Sequence, residues 1–180
     1  MELGFYRFAN KEPNKLAIVG PNEELVSRGE LLSKANKLTH ALRDLGLKKF
    51  DTVAVVLPNS VEYFVVYMAC LQAGFYLVPI NWHLAGPEIA YILEDSEAKA
   101  FIASGKNPDM EKACINAVSE ISFNKKGCIT IDELEGFRHI DDFTKSMPDE
   151  NPHDRSAGQV MNYTSGTVSY THLTLPTNGC

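Results

Sequence analysis

The feature that most constrains the fold is the run Thr-Val-Ala-Val-Val-Leu at residues 52–57, which is continuously apolar and largely β-branched. Runs of this kind are typical of strands in parallel sheets that are covered on both faces. Pro58, Asn59 and Ser60 end the run, and a stretch with helical periodicity follows. The sequence therefore indicates a buried strand followed by a helix, which is the repeating unit of an α/β domain.

The same alternation continues along the chain. Asn59 and Glu62 have the spacing of a helix cap, and Gly74 lies where a helix would end. The pattern predicts helices at 61–73, 87–95 and 107–121, and strands at 75–79, 99–103 and 159–163. We therefore predict an α/β fold with a mainly parallel sheet and flanking helices.

The amino-terminal part carries turn and cap signals. Short apolar runs at 16–19 and 25–26 flank the turn-prone Pro21-Asn22, which favours a hairpin. Ser27 and Glu30 then form the S-x-x-E pattern of a capping box, and leucines at helical spacing follow. A helix is predicted from this box to Gly46, with one face in the core.

A polar, proline-bearing segment occupies residues 136–158 (GFRHIDDFTKSMPDENPHDRSAG). Its composition predicts an exposed connection. We expect it to separate the sheet-forming part from the short strand at 159–163.

Composition and charge exclude several classes of protein. The chain has 180 residues, of which 44% are hydrophobic, and this fits about one globular domain. Its formal net charge of −6 provides no positive electrostatic field that would attract nucleic acid. Four scattered cysteines without a CxxC pair and an amino terminus without a signal peptide favour a cytoplasmic location. The histidines show no metal-ligand spacing, so no metal site is predicted, and His83 beside Trp82 is expected to pack or hydrogen-bond structurally.

Residues 63–80 approach the length and apolar character of a membrane span. Gly74 and Pro79 argue against one, because a helix would stop at the first and the second removes a backbone donor that lipid cannot replace. We therefore expect a buried helix followed by a buried strand, and no transmembrane segment.

A hydroxyl-rich loop follows the last predicted strand: Thr164, Ser165, Gly166 and Thr167. Successive backbone N–H groups and three hydroxyls can cradle a phosphate, and glycine allows the close approach this needs. Clusters of this composition are also ordinary turns, and no Walker loop occurs in the chain. The loop alone leaves both interpretations open.

Three segments in order resemble core motifs of one superfamily, the AMP-forming adenylating enzymes. They are residues 25–31 (LVSRGEL), 71–81 (LQAGFYLVPIN) and 160–167 (VMNYTSGT). Further segments resemble acyl-CoA synthetases that act on fatty or aromatic acids: 57–62 (LPNSVE), 81–84 (NWHL) and 88–96 (EIAYILEDS).

The resemblance implies the incomplete N-terminal subdomain of a ligase that uses ATP, Mg²⁺ and CoA to activate a carboxylic acid. Thr164, Ser165, Gly166 and Thr167 would then bind the β- and γ-phosphates of ATP, and no catalytic residue is assigned. Two alternatives stay open: an adenylation domain that loads a carrier protein, and a non-enzymatic α/β binding module. The acid and the oligomeric state are not readable from the sequence.

The sequence departs from the superfamily after Thr167. The motif should continue Thr-Gly-x-Pro-Lys-Gly, whereas residues 168–180 read VSYTHLTLPTNGC. Part of this tail resembles a translated sequencing adapter, and such scars are excluded from fold reasoning. We therefore expect residues 1–167 to form a partial AMP-binding domain, residues 168–180 to be an artefactual tail, and the 180-residue chain to be catalytically inactive.

Overall fold

Residues 4–163, the part of the chain that the computed structural model describes, contain six α-helices and eight strands. The helices are α1 Gly4–Lys11, α2 Arg28–Asp44, α3 Val61–Ala73, α4 Gly86–Asp95, α5 Pro108–Glu120 and α6 Ile140–Thr144. The strands are β1 Leu16–Val19, β2 Leu25–Ser27, β3 Thr52–Val56, β4 Tyr76–Pro79, β5 Ala98–Ala103, β6 Cys128–Thr130, β7 Arg138–His139 and β8 Gln159–Val160.

The main sheet has six strands in the order β7-β6-β5-β3-β4-β8, and every neighbouring pair is parallel. Strand β3 lies inside the sheet, where Val53 is in register with Leu77 of β4 and Ala100 of β5. Strands β1 and β2 form a separate antiparallel hairpin. The predicted α/β fold, its mainly parallel sheet and the hairpin are all confirmed.

Helices cover both faces of the sheet because the side chains of β3 alternate between two cores. Val53 and Val55 pack in the core that includes residues of α2, α3 and α6. Ala54 and Val56 pack in the core that includes residues of α4 and α5. All five residues of β3 are buried, which explains why the strand has no polar alternation.

The helix ends test the capping predictions. Ser27 caps α2, since its hydroxyl accepts from the N–H of Glu30 at 3.2 Å and the Glu30 carboxylate accepts from the N–H of Ser27 at 2.8 Å. Gly74 ends α3 in the left-handed region with φ 79°. The predicted Asn59 cap was wrong, because Ser60 accepts from the Tyr63 N–H instead.

The apolar stretch at residues 63–80 divides into two elements. It contains most of α3, the turn at Gly74 and strand β4. Within residues 4–163, none of the helices combines the length and the apolarity that a membrane crossing needs. The expected buried helix followed by a buried strand is confirmed.

The prediction that residues 136–158 form an exposed connection was wrong in part, since many of these residues are exposed but the segment is not a simple connection. The segment contains β7 and α6, and Ile140 and Phe143 of α6 are buried in one of the two cores. Its apolar residues Phe137, Ile140, Phe143 and Met147 do recur at helical spacing, but the polar, proline-bearing composition around them favoured a loop in the sequence-based prediction. The sequence prediction also omitted α1 and β6.

Residues 149–158, hereafter the strap, run past the end of α3 and lead directly into β8. The N–H of Ser156 donates to the carbonyl of Gln72 at 3.0 Å, and the N–H of Gly158 donates to the carbonyl of Leu71 at 2.9 Å. Both carbonyls lie in the last turn of α3, where helix carbonyls lack partners within the helix. The strap therefore caps α3 as it passes.

Gly158 has no room for a side chain, since a Cβ there would overlap the carbonyl oxygens of Cys70 and Phe75. We expect Gly158→Ala to lower the free energy of unfolding by about 1–3 kcal/mol, as overpacking of a closed interior does. Urea denaturation measures this change.

Gly20→Ala is the matched control, because the atoms nearest to a Cβ at Gly20 belong to the exposed side chain of Glu24, which can move away with the loss of one exposed hydrogen bond from the Asn22 N–H. Its effect should stay within about 0.5 kcal/mol. Equal decreases in the free energy of unfolding for the two variants would contradict the close packing at Gly158.

Candidate functional site

The carboxyl ends of the parallel strands form one edge of the sheet, hereafter the carboxyl edge. Strand β3 ends there at Val56, β4 at Pro79, β5 at Ala103 and β8 at Val160. In open α/β sheets, ligands bind in crevices outside the carboxyl ends of the strands. The loops that follow these strands are therefore the candidate functional site.

Strand β8 leads the chain to this edge. The N–H of Gln159 donates to the carbonyl of Phe75 at 3.1 Å, and that of Met161 donates to the carbonyl of Leu77 at 2.8 Å. The strand itself covers 159–160, which is shorter than the predicted 159–163, although its hydrogen bonds to β4 reach Met161. The structure is described up to Tyr163.

The predicted site residues, Thr164, Ser165, Gly166 and Thr167, lie outside the described residues. Their phosphate-binding role stays a prediction. The structure does describe the strand that precedes them, and that strand is parallel to β4.

Tyr163, directly before the predicted loop, is tied to the last residue of α4. Its hydroxyl donates to Oδ2 of Asp95 at 2.6 Å. Burial raises the pKa of the Tyr163 phenol to about 12, and the hydrogen bond and the negative charge of Asp95 add to that rise. Sequence reasoning missed this pair because no local pattern relates two residues so far apart.

The loop after β4 carries an aromatic pair. The rings of Trp82 and His83 lie with centroids 3.5 Å apart, and the N–H of His83 donates to Oδ1 of Asn81 at 3.1 Å. The expectation that His83 packs or hydrogen-bonds structurally is thus met through its ring and its backbone.

A cavity of about 550 Å³ opens beside this aromatic pair, between the loop after β4 and the start of α5. Its size is within the range of small-molecule pockets. Its lining combines apolar and polar groups from both elements: Trp82, His83, Leu84, Ala85, Asn107, Asp109 and Ala113.

Asp132 joins the loops that follow β5 and β6. Its carboxylate accepts from the Ser104 hydroxyl at 2.5 Å, from the Gly105 N–H at 2.7 Å and from the Thr130 hydroxyl at 3.1 Å. Three donors on one carboxylate indicate that Asp132 fixes the shape of the edge. No sequence pattern predicts this cluster, because its members come from the ends of two separate strands.

The cysteines of the described chain are poorly suited to nucleophilic chemistry. Cys70, Cys114 and Cys128 are buried, and burial raises the thiol pKa of Cys114 to about 12 and that of Cys128 to about 11. Among residues 4–163, no group of three or more His, Cys, Asp and Glu side chains is arranged to hold a metal ion.

Together these features define an α/β protein whose doubly covered parallel sheet delivers a chain segment to its carboxyl edge, as nucleotide-binding folds do. Comparison with known families gives the particular class. The chain belongs to the AMP-binding enzyme family, whose match covers residues 5–169. The resemblance to AMP-forming adenylating enzymes is confirmed.

Curated relatives include a CoA ligase and a gramicidin synthase. The chain is 36% identical over 95 residues to the long-chain-fatty-acid–CoA ligase FadD13 of Mycobacterium tuberculosis, covering 52% of this chain and 19% of that protein. It is 31% identical over 164 residues to gramicidin S synthase 1 of Brevibacillus brevis, covering 91% of this chain and 14% of the relative. The chain thus spans about a fifth or less of these relatives.

Solved structures share the fold. The anthranilate CoA ligase AuaEII matches with a TM-score of 0.74 at 20% identity, over 90% of this chain and 30% of that one. The N-terminal domain of FACL13 from Mycobacterium tuberculosis matches with a TM-score of 0.70 at 25% identity, over 92% of this chain and 41% of that one. The α/β fold is therefore that of adenylating enzymes, of which the chain spans a part.

The raised pKa of Tyr163 predicts an alkaline signature. The neutral phenol is favoured in the folded protein, so its stabilising effect is complete below the ordinary pKa of 10.0 and is lost as the pH rises through about 12. We expect ultraviolet absorbance titration to show one phenol ionising near pH 12 that is absent from Tyr163→Phe.

Tyr76→Phe serves as the control, because it removes a phenol that has no part in the Tyr163–Asp95 contact and keeps the ring that stacks on Phe50. Titration of Tyr163 at its ordinary value of 10.0 would contradict the contact with Asp95.

Proposed function

We propose that the chain is the amino-terminal part of an ATP-dependent acid–CoA ligase. Membership of the AMP-binding enzyme family supports this function, as does the identity with the fatty-acid–CoA ligase FadD13. The single observation that carries it is the path of β8, which runs parallel to β4 toward the carboxyl edge and leads into the hydroxyl loop within the family match.

The reaction would proceed in two steps. A carboxylate oxygen attacks the α-phosphorus of ATP, which forms an acyl-adenylate and releases pyrophosphate. The sulfur of CoA then attacks the acyl carbon, the thiol proton is lost to solvent, and AMP leaves as the thioester forms. Such chemistry depends mainly on positioning and on stabilising charge at the phosphate oxygens.

In this proposal the hydroxyl loop binds the β- and γ-phosphates. Thr164, Ser165 and Thr167 supply hydroxyl donors, and Gly166 lets the backbone N–H groups approach the phosphate oxygens. Mg²⁺ would neutralise phosphate charge. We assign no Mg²⁺ ligand among residues 4–163, where no acidic cluster is arranged to hold a metal ion. The Asp132 carboxylate at the carboxyl edge already accepts three hydrogen bonds.

A second candidate is an adenylation domain that loads a carrier protein. Two relatives favour it: gramicidin S synthase 1, and the fatty acid–[acyl-carrier-protein] ligase ScoC of Streptomyces coeruleorubidus, which is 33% identical over 105 residues. ScoC covers 58% of this chain and the chain 20% of ScoC. The two candidates share the first half-reaction and differ in the thiol that accepts the acyl group.

The non-enzymatic alternative, an α/β binding module, makes the hydroxyl loop an ordinary turn. Under this alternative, the chain should bind polyphosphates no more tightly than AMP. The family membership favours the two ligase candidates over it.

The remaining assignments are part of the same proposal. Residues 1–167 form a partial AMP-binding domain in the cytoplasm, and residues 168–180 are foreign to it. The family match, which ends at residue 169, supports that boundary to within two residues.

A Mg-ATP titration followed by amide NMR tests the loop. We expect Mg-ATP and tripolyphosphate to shift the amide signals of residues 161–167 and AMP to leave them nearly unchanged, because the β- and γ-phosphates make the contacts. Ser165→Ala should weaken Mg-ATP binding by about three- to tenfold, as loss of a hydrogen bond to a charged group does.

Ser119→Ala is the matched control, since it removes an exposed hydroxyl from the last turn of α5, the end of that helix that is far from the carboxyl edge. Equal shifts of these amide signals with AMP and with Mg-ATP would favour the non-enzymatic binding module over a loop that binds the β- and γ-phosphates.

The 180-residue chain should show no acid-dependent ATP–pyrophosphate exchange, because it lacks the Thr-Gly-x-Pro-Lys-Gly continuation with its lysine. Genomic sequence read in frame beyond Thr167 supplies the comparison. If it encodes that continuation, the longer chain should catalyse the exchange with a fatty or aromatic acid. Exchange by the 180-residue chain would contradict the assignment of its tail.

A further inference from the structure

Gln72 is a polar residue in the interior of the fold. It lies on α3, is 2% exposed, and its carboxamide is fully occupied. Nε2 donates to Oδ1 of Asn36 at 3.0 Å and to the Thr39 hydroxyl at 2.9 Å, while Oε1 accepts from Nε of Arg155 at 3.0 Å. A buried amide is costly unless such bonds are made, so their loss would leave unpaired groups in the core.

Arg155 extends the same network through the strap. Its Nη2 donates to Oδ1 of Asn151 at 2.7 Å, and its guanidinium lies 4.8 Å from the ring centroid of Tyr6 in α1. The Tyr6 hydroxyl in turn donates to the carbonyl of Met68 in α3 at 2.8 Å. Arg155 therefore ties the strap to α1 and α3 together.

The backbone continues this attachment into the sheet. The N–H groups of Ser156 and Gly158 bind the last turn of α3, and that of Gln159 binds the carbonyl of Phe75 just before β4. Because Ser156, Gly158 and Gln159 are each held by a backbone hydrogen bond, the chain between Arg155 and the start of β8 has little freedom to move. A shift of the strap along α3 would move β8 and every residue after it.

We propose that Gln72 and Arg155 form a clamp that sets the register of β8 and thereby positions the phosphate loop at the carboxyl edge. Both are positioning residues, since they act through β8 and do not touch the nucleotide. The functional half of this proposal rests on the proposed phosphate binding by residues 164–167. The structural half, the clamp on β8, stands on the described residues alone.

The buried network, and not surface charge, gives the clamp its strength. The strap also carries an ion pair between Arg43 and Asp154 at 2.7 Å, but the Asp154 side chain is 75% exposed. Exposed pairs of this kind contribute little to stability. Arg43→Met is therefore a matched control that removes an arginine contact to the same strap and leaves Gln72 and Arg155 intact.

Amide hydrogen exchange on the 180-residue chain tests the clamp. Arg155→Met should speed exchange at Ser156, Gly158 and Gln159 by at least about tenfold, since a charge-assisted hydrogen bond to a buried amide is lost. Exchange at Ile80 and Ser104, whose N–H groups bind carbonyls of β3, should stay unchanged. Arg155→Lys keeps the charge over Tyr6 and should restore part of the protection.

The Mg-ATP titration supplies the functional measurement. Arg155→Met should weaken Mg-ATP binding at least about threefold, because the loop occupies its binding position for a smaller fraction of the time. The Mg-ATP affinity of Arg155→Lys should lie between those of Arg155→Met and the wild type, and the affinity of Arg43→Met should equal that of the wild type. This pattern, with faster exchange confined to the strap and β8, supports the clamp and its positioning role.

The other outcomes overturn parts of the proposal separately. Unchanged exchange in the strap, or equally faster exchange at Ile80 and Ser104, overturns the clamp. Faster exchange in the strap with unchanged Mg-ATP affinity overturns the positioning role. If the wild type binds no Mg-ATP, the proposed phosphate loop fails with its positioning role, and the exchange data alone support or overturn the clamp on β8.

Discussion

Burial of β3 on both faces is the constraint on which the rest of the structure depends. Its side chains alternate between two cores, so helices must cover the sheet on each side. Its backbone pairs in parallel with both neighbours, and parallel neighbours require crossover connections such as α3 and α4. Helices α2, α3 and α6 meet these requirements on one face of the sheet, and α4 and α5 meet them on the other.

Parallel pairing also determines where chemistry can occur. It places the carboxyl ends of β3, β4 and β5 at one edge, where Asp132 joins the loops after β5 and β6 and a cavity opens beside Trp82. Adenylating enzymes share this architecture, and the chain carries the first part of it. The edge is a scaffold to which a nucleotide-binding loop can be attached at the end of β8.

Attachment of β8 depends on a different kind of interaction. The two cores are closed by apolar contacts, which are weakly directional, whereas the strap is held by hydrogen bonds from Arg155, Ser156 and Gly158. Directional bonds specify register more sharply than apolar burial does. The polar composition that suggested an exposed connection is therefore the composition that a hydrogen-bonded strap needs.

What the sequence by itself determined is local. The apolar run of β3, the capping box at Ser27 and the left-handed end at Gly74 follow from periodicity and backbone sterics within a few residues. The cap at Ser60, placed one residue early by the sequence pattern, shows the precision limit of such signals, because neighbouring Asn and Ser both favour that position. Only the tertiary structure decided that Gln72 meets Arg155 and that Tyr163 meets Asp95. These pairs lie far apart in the chain, and the folding of the whole sheet brings them within hydrogen-bonding distance.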